Sequence, residues 1–230
     1  LSDSKGLVAL TVPAGRGPAP AESTVPEGPV FQENLGEKAP ARTYQDLLTS
    51  PHDEKLFDHY LTSQVVHVTV KGKVTNLGKP AITRRAEPSP NGKMLLVETV
   101  HRPYSYLVPV YRFPTLVEVW DLSGKVVHTA TDMPLAEQLP LGFGAVPTGP
   151  RSYGWRSDAP ATLYWTEAQD GGDPRAEAEV RDRIFIHPAP FSGSPTVLVD
   201  LDLRYSYTLW GTGDLALVTT REWSSRKTKT

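Results

Sequence analysis

The 230-residue sequence contains no cysteine. Disulfides, thiolate metal sites and a cysteine nucleophile are therefore excluded. The compartment stays open, because a periplasmic protein can equally lack cysteine. No apolar run approaches the length needed to cross a membrane. The first residues also lack the basic, apolar and small-residue order of a signal peptide. Neither sign of charge dominates: the formal net charge is −2 and the pI is near 6.3. No strong field toward nucleic acid or an anionic membrane is expected, so neither is implied as a partner. Several chemical signatures are missing as well. There is no phosphate-cradling or dinucleotide-binding glycine loop. Phe191-Ser192-Gly193-Ser194-Pro195 is not a nucleophile elbow, because Pro195 stands where a free N–H and turn freedom are needed. The six histidines show no zinc spacing, and no metal or cofactor is implied. Asp200 and Asp202 share a strand face but read as solvated rather than as a hydrolytic pair.

The sequence does contain 22 prolines and 18 glycines, which punctuate many short strands and argue against a helical protein. One pattern organises them, seen best at Ser89–Val100. A polar turn through Pro90, Asn91 and Gly92 runs straight into Met-Leu-Leu-Val-Glu-Thr-Val. Asn-Gly suits a tight turn because both residues tolerate positive φ. The pattern recurs at Leu1–Val12, Trp155–Glu167 and Trp210–Thr220. Aligned on Leu7, Met94, Thr162 and Leu215, the copies are 87, 68 and 53 residues apart. A four-stranded propeller blade takes about 40–50 residues, so each interval fits one blade, two of them with an insertion. The expected fold is all-β: a partial β-propeller of three to four blades, the first and last incomplete. Unrelated hairpins in a β-sandwich are the alternative. Trp155, Trp165, Trp210 and Trp223 abut the repeat strands and should be mostly buried.

Residues 13–62 interrupt this pattern. Pro13–Pro40 reads as an extended, Pro-rich surface connection. A short helical insertion is expected near 43–61: Thr43 can cap a first run that Pro51 breaks, and a second begins near His52 or Asp53 with Leu56, Phe57, Tyr60 and Leu61 on one face. Gln64–Lys71 alternates as a strand, and Asn76-Leu77-Gly78 reads as a turn. Thr115–Leu122 and Lys125–Thr129 form a hairpin about Ser123-Gly124. Ala176–Arg183 is a charge run of mixed sign, read as solvated loop or strand edge.

A family resemblance emerges from particular residues. Arg42-Thr43-Tyr44-Gln45-Asp46-Leu47-Leu48, Pro51-His52-Asp53 and Phe57-Asp58-His59-Tyr60 carry it, as do Arg102–Tyr106 through Arg112-Phe113-Pro114 and Gly149-Pro150-Arg151. They resemble the N-terminal part of the glutamyl endopeptidase branch of the prolyl-oligopeptidase family. The resemblance implies a seven-bladed propeller preceding an α/β-hydrolase domain that holds the Ser-Asp-His triad and cleaves short peptides. No triad position falls within residues 1–230, so no catalytic residue is assigned. Residues 1–230 would be a fragment of one propeller domain that gates and binds peptide substrate. Its partners would be the remaining blades and the hydrolase domain of the same protein. A bacterial periplasm or cytoplasm, or a plastid, would fit the resemblance. The alternative is a non-catalytic propeller that binds a protein or peptide partner.

Preference for an acidic residue requires a fixed cation, and the guanidinium fork of arginine suits a carboxylate. Arg102, Arg112 and Arg151 are the candidates for substrate binding, with Tyr104, Tyr106 and Tyr111 able to hold guanidinium planes. The competing role is bracing, with these arginines paired to Glu98, Glu118 or Asp121. Open blade edges at Leu1 and Thr230 lead to the first prediction. Residues 1–230 expressed alone should aggregate or stay partly unfolded. A cooperative, monomeric thermal melt of that segment would contradict the reading.

Overall fold

The computed structural model describes residues 1–23, 25, 44–140, 142–212 and 215–230. The proposed helix cap at Thr43 and most of the Pro-rich connection, residues 26–40, lie outside them. The described chain is all-β, with thirteen strands, one α-helix and one 3₁₀ turn. It divides into two compact units.

The first unit comprises mainly Asp3–Glu87 and Leu95–Gln138. Its strands are β1 (Gly6–Thr11), β2 (Thr62–Thr69), β3 (Val74–Pro88), β4 (Met94–Val100), β5 (Thr115–Asp121) and β6 (Val126–Met133). They form one sheet in chain order. Val65, Leu77, Leu95, Val97 and Trp120 pack as one apolar cluster in this unit. Asn76-Leu77-Gly78 is not a turn but part of β3, because Leu77 is fully buried in that cluster. Gly78 instead serves close packing: a Cβ there would lie 2.6 Å from the Trp120 ring. The pairing of β2 with β3 slips between Ser63 and Val65. The buried Gln64 amide donates to the Val65 and Leu77 carbonyls at 2.9 Å each, satisfying backbone acceptors beside that slip.

The helical insertion is shorter than expected. The helix α1 spans Pro51–Leu61, while Tyr44–Ser50 is non-helical and Asp46 has a φ of 57°. The reason lies in capping. Ser50 and Asp53 form a reciprocal capping box, and Pro51 opens the first turn, where its missing N–H costs nothing.

The second unit comprises mainly Leu139–Thr230 together with Pro88–Met94. The strands β7 (Pro150–Trp155), β8 (Thr162–Ala168), β9 (Asp182–Pro188) and β10 (Thr196–Leu201) make a four-stranded antiparallel meander of the kind a propeller blade uses. The strands β11 (Arg204–Trp210), β12 (Ala216–Arg221) and β13 (Thr228–Lys229) make a second meander. Trp155 and Trp165 are buried, and Trp165 stacks between Tyr153 and Phe185. Trp210 is half-buried, whereas Trp223 is 48% exposed and departs from the expected burial. It follows the end of β12, where its described ring contacts are Phe143 and the Arg221 guanidinium.

The four turn-then-strand copies become β1, β4, β8 and β12, starting at Gly6, Met94, Thr162 and Ala216. Each is preceded by a turn closed by a backbone bond: Ser4 to Leu1, Gly92 to Ser89, Ala159 to Arg156 and Gly211 to Leu215. The β5–β6 hairpin also forms as read, its turn fixed by Asp121, whose carboxylate accepts from the Ser123 and Lys125 N–H groups. Gly124 in that turn has a φ of 83°, and a Cβ there would come 2.3 Å from the Gly78 nitrogen. Gly124→Ala should therefore destabilise the protein by more than about 1 kcal/mol. A chemical-denaturation midpoint unchanged from wild type would refute this.

Candidate functional site

The segment 101–114 follows β4 and carries two arginines, three tyrosines and a phenylalanine. Arg102 donates to Asp58 at 2.7 Å and also to Glu54, both on α1. Tyr104 donates its hydroxyl to Asp58, and Tyr106 donates to Glu54 at 2.7 Å. The Arg102 guanidinium lies 4.5 Å from the Tyr104 ring centroid. Phe57 meets Tyr104 and Phe113 edge-on, with centroids 4.9 and 5.8 Å away. Helical spacing explains the arrangement: Glu54, Phe57 and Asp58 share one face at i, i+3 and i+4. Burial, then the bond to Asp58, pushes the Tyr104 phenol up. Burial and the bond to Glu54 push Tyr106 up to about 12. Both phenols stay protonated and act as donors. Arg102 and Tyr104 are thus committed to holding α1.

Arg112 is placed differently. It ends the 3₁₀ turn Val110–Arg112, and its own carbonyl accepts from the Ala136 N–H at 2.9 Å. Only 7% of the residue is exposed. Its guanidinium sits 5.5 Å from the Tyr44 ring centroid and 6.0 Å from that of Tyr111. Among the described residues no carboxylate pairs with it, and neither its Nε nor the buried Tyr44 hydroxyl has a hydrogen-bond partner. Such a guanidinium retains its forked donor set for an incoming anion.

Arg151, on β7, belongs to a buried ionic network in the second unit. It donates to Asp182, which also accepts from Arg204 at 2.9 Å and from the Tyr205 N–H at 2.7 Å. Arg204 reaches Asp170 at 2.7 Å, and Arg181 reaches the same carboxylate at 2.9 Å. Both aspartate side chains are wholly buried. Burial lowers the pKa of Arg151, opposed by the charge of Asp182 and aided by that of Arg204. The charge run 176–183 is accordingly not all solvated, because Arg181 and Asp182 belong to this network. A sequence signal for it existed: Asp182 falls on the same strand face as Ile184, which is fully buried.

None of the three arginines uses the expected braces. Glu98 pairs with Arg85, Glu118 accepts from the Trp120 indole, and Asp121 closes the β5–β6 turn. No group of three metal-ligating side chains occurs among the described residues, and none of their helices is long and apolar enough to cross a membrane.

Fold and site together define an all-β protein of propeller-like antiparallel meanders that displays arginines on aromatic supports. Relatives narrow this description. The chain is 44% identical over 227 residues to a protein of Oryza sativa subsp. japonica named probable glutamyl endopeptidase, chloroplastic. It is 42% identical over 231 residues to a protein of the same name from Arabidopsis thaliana. These alignments cover 97% and 99% of the chain but 24% of each relative, so the chain spans about a quarter of their length. The relationship to glutamyl endopeptidases, read from the motifs about Arg42–Asp53 and Arg102–Pro114, is thereby shown. No family model matches. A solved structure of a Lactobacillus plantarum protein covers 75% of this chain and 64% of its own, at 12% identity and a TM-score of 0.25.

His101 borders this loop and supplies a pH test. Its Nδ1 lies 2.7 Å from the Arg102 carbonyl and its Nε2 lies 2.8 Å from Asp132. Both neighbours are acceptors, so only the imidazolium satisfies both. Burial lowers its pKa, but the bonds to Asp132 and Arg102 outweigh this and raise it above 6.5. The resulting stability is full below that ordinary value and is lost as pH rises through the raised one. His101→Gln should therefore flatten the fall in stability as pH rises above the ordinary histidine value. An identical slope in wild type and variant would refute the assignment.

Proposed function

We propose that this chain is the peptide-gating and peptide-binding propeller segment of a serine peptidase of the prolyl-oligopeptidase type that cleaves after glutamate. Catalysis would reside in an α/β-hydrolase domain of the same protein. The names of the relatives support a peptidase, and their plastid designation fits a plastid location. Arg112 carries the segment's own part in the reading. Arg102 is held by Glu54 and Asp58 and Arg151 by Asp182, whereas Arg112 is buried without a carboxylate among the described residues. It receives the glutamate side chain of the substrate between Tyr44 and Tyr111. The remaining blades and the hydrolase domain are its partners, and the exposed Leu209, Leu215 and Leu217 of the last meander support such a cover.

Kinetics of the full-length protein test this. Arg112→Ala should lower kcat/KM for Glu-containing peptides at least about tenfold, the worth of a charge-assisted hydrogen bond. Peptides with Gln at that position should be spared. Arg112→Lys, which keeps the charge, guards against a folding defect and should recover part of the loss. Arg102→Ala should affect both substrates equally through α1. Equal losses on both substrates for Arg112→Ala, or failure of a fluorophosphonate to label a serine, would overturn the proposal.

A further inference from the structure

We propose that a cleft in the second unit binds the C-terminal carboxylate of a peptide, with the side chain of the terminal residue against its aromatic wall. This goes beyond the peptidase reading and does not require it. The cleft holds about 260 Å³, room for one residue rather than a long segment. Phe143, Pro174 and Trp223 supply its apolar wall. Phe143 and Trp223 lie with ring centroids 5.8 Å apart, and Phe143 is 82% exposed. The backbone of Gly144 reaches this wall at a φ of 87°, and a Cβ there would sit 3.3 Å from the Trp223 ring.

Four arginines line the same cleft, and three have carboxylates of their own. Arg175 pairs with Asp173, Arg181 with Asp170, and Arg204 with both Asp170 and Asp182. Arg221 has none among the described residues. Its guanidinium instead lies 4.1 Å from the Trp223 ring centroid. An aromatic face holds a cation in place without neutralising it. Arg221 also stands directly across the β11–β12 ladder from Arg204. Arg204 is already compensated by Asp170 and Asp182, so of this cross-strand pair Arg221 is the one left without a carboxylate among the described residues.

The donors of Arg204 are already engaged. Its Nε donates to the Gly144 carbonyl, one terminal nitrogen to the Arg181 carbonyl and Asp182, and the other to Asp170. Arg204 therefore fixes the wall, while Arg221 presents the fork. Glu222, the carboxylate on the rim, accepts from the Ser225 hydroxyl and makes no ion pair with Arg221. An unneutralised planar cation beside an apolar wall fits a carboxylate carried on an apolar residue. An inorganic anion would leave the wall unused, and a neutral residue would leave the fork unused.

Titration of the full-length protein with N-acetyl-phenylalanine, followed calorimetrically, tests the assignment. Binding should weaken at least about tenfold with the C-terminal amide of the same compound, as the loss of a charge-assisted pair requires. Arg221→Gln should weaken it similarly, and Trp223→Leu should weaken it while leaving the charge in place. Arg112→Ala should leave this binding unchanged, which separates the cleft from the proposed substrate cation. The proposal fails if the amide binds as well as the acid, or if Arg221→Gln binds normally. It fails equally if inorganic phosphate, or N-acetyl-glutamate amide with its side-chain carboxylate, binds as tightly.

Discussion

A carboxylate withdrawn from water must be met by cations or donors, and Asp182 imposes that constraint on the second unit. It is fully buried at the start of β9 and accepts from Arg151 on β7 and from Arg204 and the Tyr205 N–H on β11. Three strands drawn from two sheets therefore converge on one side chain. Removing any one donor would leave charge uncompensated in a poorly solvated place, an effect worth several kcal/mol. Replacing the whole group by apolar residues of equal volume can be nearly neutral. The network joins β7, β9 and β11 through one carboxylate, whatever its net contribution to stability. It also anchors Arg204, and through Arg204 the Gly144 carbonyl, so the wall of the arginine-lined cleft is fixed by the same buried charge.

The first unit uses weaker forces for a similar end. The helix α1 has no buried residue, yet it is held in place. Arg102 and Asp58 are 51% and 41% exposed at the side chain, so solvent screens their attraction to well under a buried pair's worth. Phe57 adds ring contacts with Tyr104 and Phe113, and the two phenols add hydrogen bonds. Arg112 is left outside this exchange, because Glu54 and Asp58 are spent on Arg102 and the tyrosines.

The legible part of the fold was local. Turn chemistry and β-branched runs located the four recurring strands to within a residue, since both signals act over a few neighbouring positions. Long-range effects were harder to see. Asn76-Leu77-Gly78 has turn composition, but Leu77 is drawn into β3 by burial in a cluster whose other members are distant in sequence. The start of α1 was legible to within two residues, near His52 or Asp53, but not that Ser50 caps it and Pro51 opens it. The site was legible only as a set of residue types. Sequence could place Arg102, Arg112 and Arg151 on the same footing, because nothing in their spacing reveals which carboxylates fold against them. Arg221 and Trp223 went unremarked as a pair for the same reason: their neighbours in the cleft come from residues 142–144 and 174–181.

Counterions, then, separate Arg102, Arg151 and Arg204 from Arg112 and Arg221. The first three have their charge compensated by carboxylates, so they hold elements together, although Nη1 of Arg151 is buried without a hydrogen-bond partner among the described residues. Arg112 and Arg221 rest on aromatic faces instead. A ring face restrains the guanidinium plane but accepts none of its in-plane N–H bonds. The entropy of ordering a long side chain is thus largely spent before an anion arrives, while the bidentate donor edge remains open. A carboxylate that binds such an arginine gains two parallel hydrogen bonds without displacing an internal partner. For a fully paired arginine the incoming carboxylate would have to replace one already present, and the net gain would approach zero. What decides is the carboxylate and not the ring: Arg102 has both a ring and carboxylates beside it and is a brace, whereas a ring alone, as at Arg112 and Arg221, leaves the donor edge open.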